Sequence, residues 1–166
     1  MPARYSRSAG FTLVEVLVAS VILALAVTGI AFAVSSSHAL TYEALHNERA
    51  TALAEALLEE ILSLPYADPQ GGTTIGPDAG EGARSTFDNA DDYHGYSESA
   101  GAAVDQAGSA YPTRYDVFSR SVSVVSASET VTGFSQAIVG ITVTVTVQDD
   151  HGRSWVLSRF IAEPVT

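Results

Sequence analysis

Gly10-Phe11-Thr12-Leu13-Val14-Glu15 opens an apolar run that continues to Val34 and holds no charge besides Glu15. A helix crosses the bilayer core with roughly 20 mostly apolar residues at about 1.5 Å each, so residues 11–34 are long enough to span it. An ionised carboxylate in such a span costs on the order of 2.5–3.5 kcal/mol on insertion scales. A cost of that size points to a partner for Glu15. Cutting the chain between Gly10 and Phe11 creates one, because the new amine at Phe11 carries positive charge and lies about one helical turn from the carboxylate.

The flanks set the orientation. Arg4 and Arg7 precede the span, whereas residues 35–43 contain neither Lys nor Arg. The positive-inside rule then leaves the N-terminus in the cytoplasm and the rest of the chain beyond the inner membrane. A conventional secretory signal is cut after its apolar core. Gly10 stands before the core, so cleavage there keeps the apolar helix in the mature protein.

A short basic leader ending in Gly, then Phe-Thr-Leu-Val-Glu and an uninterrupted apolar helix, resembles the type IV prepilin and pseudopilin family. The resemblance covers the leader and the span. It implies that a prepilin peptidase cleaves after Gly10 and that Phe11 becomes the N-methylated first residue. Glu15 takes the place of the family's fifth-position glutamate, which acts in subunit assembly. It further implies that the span anchors the subunit in the inner membrane, where an assembly platform builds it into a filament with other major and minor subunits. An ordinary signal anchor carrying a stray Glu is the plain competing reading.

The remaining composition narrows the function. The 19 acidic residues outnumber 8 basic ones, all Arg, and Arg4 and Arg7 would leave with the leader. Binding to nucleic acid through a basic patch is therefore not expected. Cysteine is absent, which removes disulfides and thiolate metal sites from consideration.

Beyond the span the chain reads as an α+β domain. Within residues 35–64, Ala50, Leu53, Leu57, Ile61 and Leu64 recur at spacings of three and four and define one helical face. Glu48, Glu55 and Glu59 fall opposite, and Pro65 stops the helix. Residues 11–64 read as one long helix; two separate helices joined at Ser35-Ser36-Ser37 are the plain competing reading. Residues 65–114 form a long loop rich in Gly, Asp, Ser and Ala, docked by its aromatics around Phe87 and Tyr93. Residues 115–166 alternate with period two: a strand over residues 115–125, a second over residues 139–147, a turn at Asp149-Asp150-His151-Gly152 and a third strand over residues 155–162. An antiparallel meander of about three strands is expected to cover the apolar helix face. A leader at residues 1–10, a membrane half-helix at 11–34, an amphipathic half at 35–64, a loop at 65–114 and a sheet at 115–166 is also the order of a type IV pilin.

A second likeness is narrower. Residues 52–62, the Leu64-Pro65-Tyr66 stop and above all the stretch Phe87-Asp88-Asn89-Ala90-Asp91-Asp92-Tyr93-His94-Gly95 look like the D-type minor pilin of mannose-sensitive haemagglutinin pili. The implied role is to initiate, cap or modify such a pilus. Two alternatives stand beside it. One is a minor pseudopilin of a type II secretion system, and the other is a signal-anchored periplasmic binding module that never polymerises.

Two further side-chain groups carry the parts of other chemistry. Asp88, Asp91 and Asp92, with Glu98 near in sequence, offer oxygen ligands to a hard cation such as calcium, although their spacing is not that of an EF-hand loop. Solvated aspartates capping turns are the competing reading, and no other cofactor is expected. His94 beside Asp91, Asp92 and Ser97 supplies the parts of a hydrolase triad, but such triads are defined by geometry and no Gly-x-Ser-x-Gly elbow occurs. No enzymatic activity is expected.

Overall fold

The computed structural model describes residues 10–72, 74–133 and 136–164. Residues 1–9 of the leader, including Arg4 and Arg7, lie outside them. The chain divides into two compact units between Leu45 and His46.

The first unit is the N-terminal part of a single helix, α1, whose full extent is Leu13–Leu62. The helix runs through Ser35-Ser36-Ser37 without a break. Helix-interior hydroxyls account for themselves by bonding back to the preceding turn: Ser20 donates to the Leu17 carbonyl at 2.8 Å and Thr28 to that of Ala24 at 3.0 Å. From Phe11 to Val34 the large apolar side chains stay exposed, and Phe11 itself is 87% accessible. This is the one described helix long and apolar enough to cross a membrane.

The second unit holds the core. From His46 onward α1 buries Ala50, Leu53, Ala54, Leu57, Leu58 and Ile61, the face given by the three-and-four spacing, while Glu48, Glu55 and Glu59 remain exposed. Leu64 is half-buried beyond the helix end, where Ser63 and Leu64 close the last turn through amide bonds to Glu60 and Ile61.

The sheet contains β1 Ser97–Glu98, β2 Phe118–Glu129, β3 Ile138–Asp149 and β4 Ser154–Ala162, all antiparallel in the order β1-β2-β3-β4. The meander of three long strands is joined by a fourth, two-residue strand contributed by the loop. Its brevity left no period to read. The first long strand begins at Phe118 rather than Tyr115, because Pro112 opens a 3-10 turn at Thr113–Tyr115.

Register explains the composition of the faces. Arg120, Val147 and Trp155 align across one inward row, and Val122, Val145 and Leu157 across the next. These side chains meet the helix, whereas Ser121, Ser123, Thr144 and Thr146 point outward. The turn between β3 and β4 forms at Asp149–Arg153, with Gly152 in the left-handed region at φ 80°.

Gly140 marks the tightest approach within the sheet. A Cβ there would lie 2.1 Å from the Ile161 carbonyl oxygen and 2.8 Å from the Phe160 ring. The obstructing atom is backbone of the paired strand, so no rotamer relieves it. Gly140→Ala is therefore expected to cost about 1–3 kcal/mol, the scale of overpacking a tight site. Chemical unfolding followed through the fluorescence of the single tryptophan, Trp155, would measure it.

Candidate processing and assembly site

At the start of α1, Thr12 occupies the N-cap and Glu15 the third helical position. The Thr12 amide donates to Glu15 Oε2 at 2.8 Å, and the Glu15 amide donates to Thr12 Oγ1 at 3.3 Å. The Thr12 hydroxyl also donates to Glu15 Oε2 at 2.9 Å. This reciprocal pair is a capping box, which satisfies helix-terminal amides that have no intrahelical acceptor. Glu15 thus already has donors inside its own chain. The Thr-x-x-Glu spacing of Thr12 and Glu15 is the signal for this arrangement in the sequence.

Gly10 and Phe11 precede the helix and are exposed. A Cβ added at Gly10 would meet no atom within 4 Å. The fold therefore places no demand for glycine there, and any requirement must come from a molecule that reads this peptide.

The loop brings a different set of acids together from the one its sequence suggests. Oxygens of Glu81, Asp88 and Asp92 all lie within 4.8 Å of one another, and Glu81 and Asp92 are buried. Asp92 Oδ2 accepts the Asp88 and Asn89 amides at 2.9 and 3.2 Å. Asp91, expected with them, is not among the three; its carboxylate accepts the Gly76 amide. Glu81, ten residues or so upstream, takes its place because the loop folds back through the Asp78 amide, which donates to Glu81 Oε2 at 2.9 Å. That amide pulls the Glu81 carboxyl down, yet burial and the charges of Asp92 and Asp88 outweigh it and hold the group above the usual carboxylate range. Burial, above all, likewise raises Asp91.

Glu98 is drawn elsewhere, into a buried ionic network that no local pattern announced. It accepts from the Arg84 Nη1 at 3.1 Å, the Tyr96 hydroxyl at 2.9 Å and the Val104 amide at 3.2 Å, and it also pairs with Arg120. Arg84 reaches back to the helix through Glu60, which also accepts the Tyr93 hydroxyl at 2.6 Å. Burial raises the Glu60 carboxyl, but the Arg84 and Tyr93 hydrogen bonds with the Arg84 and Arg120 charges leave it below the usual range. Tyr93 in turn is pushed up by burial and by its bond to Glu60. Phe87, Tyr93 and Tyr96 pack edge to face with centroids 4.9–6.0 Å apart, the aromatic docking expected of this segment. His94 accepts the Val124 amide at Nδ1 over 3.1 Å, which ties the loop to β2.

Residues 5–31, which contain Gly10, Phe11, Thr12 and Glu15, match the prokaryotic N-terminal methylation motif. That motif supports a type IV pilin or pseudopilin subunit. No curated protein and no solved structure matches the chain. For a pilin or pseudopilin, the motif implies processing by a prepilin peptidase and assembly with other pilin subunits. An apolar N-terminal helix with exposed side chains fits the inner-membrane anchor of such a subunit. In the pilin-like fold the capping box stands at the first turn of α1, within the residues that the motif covers.

Proposed function

We propose that the chain is a non-enzymatic minor pilin of a type IV pilus of the mannose-sensitive haemagglutinin kind. Processed between Gly10 and Phe11 and methylated on Phe11, it enters the filament through its N-terminal helix and initiates, caps or modifies the fibre. The observation that carries this reading is the methylation motif over residues 5–31 at the head of an exposed apolar helix. The subunit would wait in the inner membrane as a single-pass protein, with its N-terminus cytoplasmic and its sheet domain periplasmic. The likeness of Asp91-Asp92-Tyr93-His94-Gly95 to D-type minor pilins supports the choice of pilus. A minor pseudopilin of type II secretion shares the N-terminal motif and is the alternative within the class.

Intact-mass measurement tests the processing step. The chain from membranes that contain a prepilin peptidase should lack residues 1–10 and carry one added methyl group on Phe11. Gly10→Val should remain full length, because the surroundings of Gly10 in the fold leave room for the side chain and only the peptidase is crowded. A mature, methylated mass for that variant would refute the cleavage site, and an unmethylated mature chain would favour a signal-anchored module that never polymerises. Recovery with sheared surface pili separates the pilin from the pseudopilin.

A further inference from the structure

Strand β4 stands at the edge of the sheet, paired with β3 on one side and with no described strand on the other. Successive residues of a strand alternate in the direction of their backbone groups as well as of their side chains. The Asp149 amide donates to the Arg153 carbonyl at 3.0 Å and the Glu163 amide to that of Val139 at 2.9 Å, so the odd-numbered residues of β4 bond to β3. On β2 the residues turned away from β3 are in use: the Val122 amide donates to the Tyr96 carbonyl at 2.9 Å, and the Val124 amide donates to His94. On β4 the amides and carbonyls of Ser154, Val156, Ser158, Phe160 and Ala162 face the open side, and among the described residues nothing bonds to them.

Open edges template pairing with another chain, and proteins blunt them with Pro, a bulge, a covering segment or an inward-pointing charge. Strand β4 contains no Pro, and its pairs run uninterrupted from Gly140 with Ala162 to Gln148 with Ser154. Its one charge, Arg159, lies on the inward row opposite Val143, between the half-buried Leu157 and Ile161. Arg159 is exposed and, among the described residues, has no ion pair or side-chain hydrogen bond, in a chain of 19 acidic and 8 basic residues.

We propose that β4 is a docking edge, to which an extended segment of another polypeptide adds as a fifth strand with a carboxylate facing Arg159. Main-chain hydrogen bonds supply the attachment, and the side chains opposite the inward row supply the selectivity. The added strand extends the cover over Trp155, Leu157 and Ile161, which β3 and the core leave half-buried, and neutralises the arginine among them. The same arginine disfavours a second copy of β4 as the occupant. An antiparallel pair centred on Ser158 matches the open backbone groups of two copies, but it sets the two Arg159 side chains diagonal to each other, within reach of long side chains of like charge. An acidic segment meets no such repulsion, so Arg159 both blocks self-pairing and chooses the partner. This inference stands apart from the filament reading, and neither depends on the other.

The test titrates the full chain in detergent micelles with a synthetic peptide of alternating Val and Thr that carries one central Glu in a Val position. Fluorescence of Trp155, the single tryptophan and a residue of β4, reports binding. Saturable binding is expected. The same peptide with Lys in place of Glu should bind at least about fivefold more weakly, the scale of one cross-strand charge pair. A peptide with every Thr amide N-methylated should not bind, because those amides are the ones that meet the open edge. Arg159→Glu, at an exposed position, should invert the order of the Glu and Lys peptides. Ser158→Pro removes an amide that β3 does not use, so it should weaken binding of the Glu peptide and leave the melting temperature near that of the wild type. Absence of saturable binding at millimolar peptide, equal binding of the N-methylated peptide, or an unchanged preference for Glu over Lys in Arg159→Glu would each overturn the proposal. Concentration-dependent self-association that Ser158→Pro abolishes would assign the edge to a second copy and overturn it as well.

Discussion

Arg120→Ala lowers the unfolding free energy by about 3–5 kcal/mol, the range for removing one partner of a buried ion pair. Arg120 is 2% accessible and lies on the inward face of β2. It pairs with Glu98, donates to the Val104 carbonyl at 2.7 Å and the Leu53 carbonyl at 3.3 Å, and lies over the Tyr111 ring at 5.5 Å. Alanine leaves those two carbonyls without this donor, weakens the neutralisation of Glu98 to what Arg84 alone supplies, and opens a cavity between helix and sheet. Arg120→Met separates these contributions, since it restores volume without charge. The methionine variant should recover part of the loss and the remainder reads the electrostatic share. Urea unfolding of the full chain in micelles, followed at Trp155, measures both. A change below about 1 kcal/mol for the alanine variant, the ordinary size of a surface pair, would show that the network contributes nothing of note.

Glu15→Ala should leave membrane insertion intact and reduce incorporation into the filament to background. In the proposed filament the carboxylate of one subunit meets the methylated amine of its neighbour. At about 4 Å and an effective dielectric near 20 such a pair is worth roughly 4 kcal/mol before desolvation, and less net. An incoming subunit gains that interaction in one axial register, so the pair acts mainly on specificity. The capping box offers a rival explanation for the same phenotype. Losing a cap costs about 0.5–2 kcal/mol and frays the first turn. Glu15→Gln decides between them, because glutamine keeps the capping geometry and loses the charge. Co-purification with sheared filaments is the measurement. If Gln fails as Ala does, the charge carries assembly; if Gln assembles normally, the requirement is for the cap and the charge-pair account falls.

Local patterns carried most of the architecture. The apolar run from Phe11, the three-and-four spacing through Ala50, Leu53, Leu57 and Ile61, and the alternation around Val143 and Val145 each depend on residues a few positions apart, so helix, helix face and strands were legible before any fold was known. The motif at Gly10, Phe11 and Glu15 is equally local. Elements stabilised by distant partners were not legible in this way. Strand β1 has two residues and exists because β2 offers Arg120 and Ser121 opposite it. Likewise nothing near Glu98 predicts that Arg120 and Arg84 will converge on it.

The acidic loop shows where that boundary falls. Its sequence advertises Asp88, Asp91 and Asp92 as a group because they are neighbours, and neighbouring side chains in a turn point in different directions. The fold separates Asp91, keeps Asp88 and Asp92, and brings in Glu81 and Gln70 from earlier in the loop. By itself, then, the sequence determined the membrane-length helix, the processing motif, the amphipathic face and the alternating strands, because periodicity and short motifs act over one or two turns of chain. Only the tertiary structure decided which charges are paired and which are left facing one another, because burial and contact between residues remote in sequence arise when helix, loop and sheet close on a common core.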